Sequence, residues 1–137
     1  MQKLLFTCLL LLCGGLAEAQ IEKGKYMLGG QLDIIDIGNS VVRLDLDAAY
    51  FFNDRLAFGV ATFGFLNGPY FVGVQSRYVW PLLEKTYVYG QAGFYASGGI
   101  ARFSAFPGLM YFLNDRVALE GRLGGIGGGG IGLSLLF

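Results

Sequence analysis

Val41-Val42-Arg43-Leu44-Asp45-Leu46-Asp47-Ala48-Ala49-Tyr50 separates its polar from its apolar residues at every second position. Val42, Leu44, Leu46, Ala48 and Tyr50 share one face, and Arg43, Asp45, Asp47 and Ala49 share the other. A helix would mix the two groups on one surface, whereas a strand keeps them apart. Val117-Ala118-Leu119-Glu120-Gly121-Arg122-Leu123 repeats the pattern, with leucines on one side and Glu120 and Arg122 on the other. The Val, Ile, Tyr and Phe content agrees with β structure.

Turn-forming residues cut the chain into eight segments of this kind: 25–34, 41–51, 56–66, 70–80, 86–96, 101–112, 117–124 and 127–137. Their lengths suit strands that cross a bilayer, which need about 9 to 11 residues. One segment pair recurs. Tyr50-Phe51-Phe52-Asn53-Asp54-Arg55-Leu56-Ala57 returns as Tyr111-Phe112-Leu113-Asn114-Asp115-Arg116-Val117-Ala118, placing Asn-Asp turn chemistry at the second and sixth turns. In an up-and-down barrel those turns lie on the same rim.

The distribution of charge decides which solvent the outer wall meets. The candidate lumen residues are Asp33, Arg43, Asp45, Asp47, Arg77, Arg102, Glu120 and Arg122, four acids and four arginines. The opposite faces are Leu, Val, Phe, Tyr, Ala and Gly. Glu22, Lys23, Lys25, Asp36, Asp54, Arg55, Glu84, Lys85, Asp115 and Arg116 fall at strand ends and turns. A lipocalin-like soluble barrel has an apolar lumen and a polar exterior; here the polarity is inverted. A lipid-facing belt accounts for the inversion, since Lys or Arg at the bilayer midplane costs roughly 2–4 kcal/mol. The expected fold class is therefore all-β, an eight-stranded antiparallel up-and-down transmembrane β-barrel. Aromatics gather at the even-numbered turns (Tyr50, Phe51 and Phe52; Tyr78 and Trp80; Tyr87 and Tyr89; Tyr111 and Phe112), where an interfacial girdle is expected.

The 137 residues allow one domain, preceded by a leader. Met1-Gln2-Lys3 supplies a positive start, Leu4 to Leu12 an apolar run too short to span a bilayer, and Ala17-Glu18-Ala19 a cleavage site. Residues 1–19 are thus expected to be a signal peptide and 20–137 the barrel domain. Both cysteines, Cys8 and Cys13, leave with it, and Leu12 before Cys13 does not suit a lipoprotein signal. Loss of Lys3 and Glu18 removes one charge of each sign, so the mature chain stays neutral. Neutrality argues against a nucleic-acid binder, which needs a basic face to neutralise phosphates.

No His is present, and with the cysteines gone neither a Ser–His or Cys–His pair nor a thiolate metal site can form. No catalytic, cofactor-binding or metal residues are expected, and the chain is not expected to be an enzyme. Asp45 and Asp47 could in principle do paired-carboxylate chemistry. Arg43 on the same face favours a structural ion network instead, because paired buried charges are tolerable where lone ones are not. Gly125-Ile126-Gly127-Gly128-Gly129-Gly130 matches GxGxxG formally but lacks the helix and the downstream acid of a dinucleotide site. These glycines more simply leave space for Arg122 or a neighbour.

The C-terminal Ile131-Gly132-Leu133-Ser134-Leu135-Leu136-Phe137 ends on phenylalanine with Leu135, Leu133 and Ile131 at alternate positions. With the signal peptide and eight alternating strands, it resembles the small outer-membrane β-barrels of Gram-negative bacteria. The run Pro107 to Glu120 resembles the sixth and seventh strands of the broad outer-membrane β-barrel-domain family. The resemblance implies a bacterial outer-membrane location and periplasmic termini and even-numbered turns. It also implies contact with outer-membrane lipid, and recognition of Ile131, Leu133, Leu135 and Phe137 by the barrel-assembly machinery. Enzymes of this barrel class rely on His, which is absent. The odd-numbered loops, near 35–40, 67–69, 97–100 and 125–126, are short for a receptor or adhesin. The function expected is a structural or envelope-maintenance role with a lumen closed by side chains. The alternatives are a conduit or binding site for a small apolar molecule, and a soluble lipocalin-like carrier; the ligand is unknown.

Overall fold

A computed structural model describes residues 21–36, 41–123 and 129–137. The expected signal peptide, Gln20 and the loops at 37–40 and 124–128 lie outside the described residues. Eight antiparallel strands close into a barrel in sequence order: β1 (Tyr26–Asp36), β2 (Val41–Phe51), β3 (Leu56–Phe65), β4 (Tyr70–Leu83), β5 (Thr86–Ser97), β6 (Ile100–Phe112), β7 (Val117–Leu123) and β8 (Gly129–Leu136). β1 pairs with β8 from Met27↔Leu136 to Ile34↔Gly129, so neither terminal strand keeps a free edge there.

The strands fall where the period-two pattern places them, with one departure. β4 does not stop at Trp80 but runs through Pro81 to Leu83. A register shift between Pro81 and Leu83 accommodates the proline, which cannot donate to a regular ladder. The β5–β6 hairpin turns on Gly98 and Gly99, both at positive φ (54° and 84°), as a two-residue hairpin requires. The two Asn-Asp-Arg turns share one construction. Asn53 Oδ1 accepts from the backbone N–H groups of Arg55 and Leu56, and Asn114 Oδ1 from those of Arg116 and Val117, all at 2.8–2.9 Å.

Alternation puts Leu28, Leu32, Leu44, Leu46, Val60, Val72, Val74, Leu109, Leu119, Ile131, Leu133 and Leu135 on the exterior, all exposed. The aromatic expectation divides. Tyr26, Phe52 and Trp80 are exposed on the outer surface at the even-turn rim, in contact with Tyr50, Phe58 and Tyr78 at ring-centroid distances of 4.5–5.6 Å. Phe51, Tyr89 and Phe112 are instead buried and face the lumen. Neighbouring aromatics cannot share a face of one strand, so only half of such a cluster can meet the interface.

Candidate functional site

The lumen is filled in three layers. At the even-turn end Met27, Phe51, Val79, Tyr89, Met110, Phe112 and Leu136 form an apolar plug, and Ile21 from the segment before β1 packs into it. That segment is tied down by Gly24 N–H to Phe51 O (2.8 Å) and Lys23 N–H to Asp54 Oδ1 (3.0 Å). At the odd-loop end Phe63, Phe71 and Tyr95 form an aromatic cluster, with Phe63 and Phe71 stacked at 4.8 Å. Between the two lies the polar layer, in two groups.

Arg77 and Glu120 centre the first group. Arg77 Nη1 lies 2.6 Å from Glu120 Oε1, with side-chain exposures of 1% and 0%. The guanidinium also sits 4.4 Å above the Tyr89 ring and donates from Nε to Gln91 Oε1 (2.9 Å). Glu120 accepts in addition from Ser134 Oγ (2.5 Å), Tyr89 OH (3.2 Å) and Gln31 Nε2. Asp47 accepts from Gln75 Nε2 (2.9 Å), while Arg77 Nη2 is 3.7 Å away, too far for a hydrogen bond. Gln91 donates to Gln75, linking the two halves of the group.

Asp33, Asp45, Arg43 and Arg122 make the second group. Arg43 Nη2 is 2.6 Å from Asp33 and 2.8 Å from Asp45. Arg122 donates from Nε to Asp33 Oδ1 (2.9 Å) and from Nη2 to both carboxylates. Gly130 clears the space, because a methyl there would run into Asp33 Oδ1. Arg43 and Arg122 are covered by the Phe63 and Phe106 rings at 4.7 and 4.6 Å.

Seven of the eight expected lumen residues are thus brought together, and Arg102 is not. Arg102 lies on the lumen-facing register of β6 with Ser104 and Phe106, but its side chain is exposed, 5.3 Å above the Phe71 ring. The described ladder of β7 on β6 ends at Gly108↔Arg122, six residues short of Arg102 along β6. The buried set is therefore three guanidinium groups with four carboxyl groups. Asp45 and Asp47 do share a face, but each is held by different partners, and no open carboxylate pair results.

Gln31, Gln75, Gln91 and Ser134 escaped the sequence analysis as lumen residues, and Tyr89 was assigned to the girdle. Each occupies a lumen position two residues from another lumen residue, as Gln31 does with Asp33 and Gln75 with Arg77, and that parity was the available signal. Ile131, Leu133, Leu135 and Phe137 all face outward, at 42–75% exposure.

The chain is similar over its fold to a de novo designed transmembrane β-barrel: 17% identity, TM-score 0.77, covering 86% of this chain and 99% of that one. It is also similar to the N-terminal β-barrel domain of Pseudomonas aeruginosa OprF: 14% identity, TM-score 0.63, covering 84% of this chain and 98% of that one. The fold is that of the transmembrane β-barrels. No protein-family model matches the chain, and no curated protein matches it.

Proposed function

We propose that the chain is a small integral barrel of the bacterial outer membrane with a permanently closed lumen, serving a structural or envelope-maintenance role. The Arg77–Glu120 pair carries this reading. It is fully desolvated at mid-lumen, with the apolar plug on one side and the second ion group and aromatic cluster on the other. Opening a path would strand two charges whose partners are fixed, at a cost of several kcal/mol per ion. Eight strands enclose an interior that side chains can fill, and the packing of the described lumen residues supports that reading. The outward apolar belt and the rim aromatics support an environment of outer-membrane lipid. The outward faces of Ile131, Leu133, Leu135 and Phe137 suit recognition by the barrel-assembly machinery before the β1–β8 seam closes.

A lipocalin-like carrier would need an apolar lumen with room for its ligand, and the polar packing supplies neither. The test is to express the whole chain in a Gram-negative host, fractionate the envelope and compare boiled with unboiled gel samples. The expected result is a heat-shifted band in the outer-membrane fraction. The reconstituted protein should show no stable conductance in planar bilayers. A soluble, detergent-independent protein would overturn the membrane reading; steady single-channel currents would overturn the closed lumen.

A further inference from the structure

The barrel wall is not the same height all round. From one even-turn end to the next, loop included, β1–β2 takes twenty-six residues (26–51) and β5–β6 twenty-seven (86–112). β3–β4 takes twenty-eight (56–83), part of them the extension through Pro81. β7–β8 takes twenty (117–136). That hairpin is shorter by about three residues per arm, roughly 8 Å of barrel height at ~3.4 Å per residue and a strand tilt of about 40°. The step falls beside β6: Gly108 is opposite Arg122, next to last in β7, and β6 runs eight residues further to Ile100.

The outer face differs in the same sense. Tyr70, Phe94 and Phe103 stand exposed on β4, β5 and β6 toward the odd-loop end, the mark of an interface. The stretch 124–130 of the short hairpin is six glycines and one isoleucine in sequence, with no such anchor. The wall is also recessed on both flanks of β7–β8. A groove of about 510 Å³ lies among Pro107, Leu109, Gly121, Leu123 and Ile131, and one of about 560 Å³ among Gly30, Leu32, Leu44, Leu119, Ile131 and Leu133. Gly121 opens the first, since a side chain there would meet nothing within 4 Å. Directly behind the low edge sits the second ion group: Arg122, Gly130, Asp33 and Arg43 are register partners in one row across β7, β8, β1 and β2.

We propose that the β7–β8 face thins the odd-loop leaflet beside it: lipid head groups come down to the level of Leu123 and Ile131, and their acyl chains tilt into the two flanking grooves. Lipid is the occupant because the face is continuous with the apolar outer walls of β6 and β1, and a wall shorter than the hydrocarbon layer is met by thinning of that layer. Head groups at this level also bring a polar medium close to the Asp33, Arg43 and Arg122 charges, which hydrocarbon of full depth would keep from it. The inference rests on the reading of the chain as an outer-membrane barrel and deepens it, because a barrel with a closed lumen acts on the envelope through its outer wall.

Depth-dependent tryptophan quenching of the whole chain in phosphatidylcholine vesicles tests this. The native tryptophan is replaced by Trp80→Phe, and a single reporter is introduced by Leu123→Trp or by Val74→Trp. Both positions are outward and exposed (74% and 64% or less), and each lies six residues up its strand from the even-turn rim, counted from Val117 and from Trp80. Heat modifiability of each variant is recorded first. The Val74→Trp reporter should be quenched more by lipids brominated near the chain ends than by lipids brominated near the head group. The Leu123→Trp reporter should show the reverse order, an apparent shift of about 8 Å toward the head groups. Equal depth at the two sites overturns the proposal. So does shielding of the Leu123→Trp reporter from both brominated lipids and from aqueous acrylamide, which would place protein, such as a second copy, over the hairpin. If the wild type gives no heat-shifted band, the barrel reading and the thinning fall together. Equal depths in a heat-shifted barrel remove the thinning alone.

Discussion

Removing Glu120 should damage the barrel more than removing Glu120 and Arg77 together. Glu120 accepts from Arg77 (2.6 Å), Ser134 (2.5 Å), Tyr89 (3.2 Å) and Gln31. In Glu120→Ala the Arg77 guanidinium stays in a site where it is 1% exposed, with Asp47 at 3.7 Å as the nearest carboxyl. Breaking a buried pair from one side costs about 3–5 kcal/mol, because the surviving charge stays desolvated. The equilibrium constant for unfolding should therefore rise by roughly two to nearly four decades.

The double variant Arg77→Met/Glu120→Leu removes both charges and keeps apolar volume beside Tyr89 and Met27. Swaps of buried ion pairs for apolar residues are neutral or stabilising by about 1–4 kcal/mol, so the part of the loss due to the stranded guanidinium should return, while Ser134, Tyr89, Gln31 and Gln91 each still lose a partner. The assay is reversible denaturant unfolding in lipid vesicles, read by the gel shift and by tryptophan emission, as a double-mutant cycle with both single variants. Two results would refute the reasoning. A Glu120→Ala barrel as stable as the wild type would mean that water reaches Arg77. A double variant whose loss equals the sum of the singles would mean that the two side chains do not interact.

Asp47→Asn should cost far less than Glu120→Gln, under about 1 kcal/mol, since the amide still accepts from Gln75 and no guanidinium lies within hydrogen-bond reach; vesicle unfolding ranks the two, and an equal loss would show that Asp47 carries part of the Arg77 interaction. Gly73→Ala should destabilise by about 1–3 kcal/mol, because its methyl would run into the Phe94 carbonyl, whereas Gly121→Ala should leave the midpoint unchanged; reversal of that order would show that the wall yields at Gly73. Trp80, the single tryptophan, should be quenched more by lipids brominated near the head group than by lipids brominated near the chain ends. Dominant quenching by aqueous acrylamide would remove it from the interface.

The strand map was legible because each strand turns its polar and bulky lumen residues to one face and an apolar, exposed set to the other, so a period of two survives in the letters themselves. Pro81 misled the count because a bulge, not a strand end, absorbs it. Which residues touch inside was not legible. Glu120 and Arg77 meet across the lumen from β7 and β4, and only barrel closure and strand tilt set that proximity. Parity puts Arg102 on the inner face with Ser104 and Phe106; its exposure near the end of β6 leaves no mark in the letters. The neutral partners Gln31, Gln75, Gln91 and Ser134 carried no charge to draw notice, although their parity matches that of the acids and arginines.

β7 gives the layout its logic. Among the described residues it is the shortest strand, seven residues, and its described ladder with β6 runs from Gly108↔Arg122 to Phe112↔Ala118. A ladder of five described pairs resists slippage weakly, and a slip of one residue would turn Leu119 inward and Glu120 onto the apolar outer face. Its two charged lumen residues bind instead to five of the other strands. Glu120 is held by β1 (Gln31), β4 (Arg77), β5 (Tyr89) and β8 (Ser134), and Arg122 by β1 (Asp33) and β2 (Asp45). A slip of two residues would keep the faces right but break all of these bonds at once. An apolar lumen could pack as densely, yet it would penalise a two-residue slip little and would leave both faces of every strand apolar before insertion, an aggregation hazard. The polar layer therefore fixes β7 in register where backbone pairing is weakest, and keeps one face of the unfolded chain compatible with water.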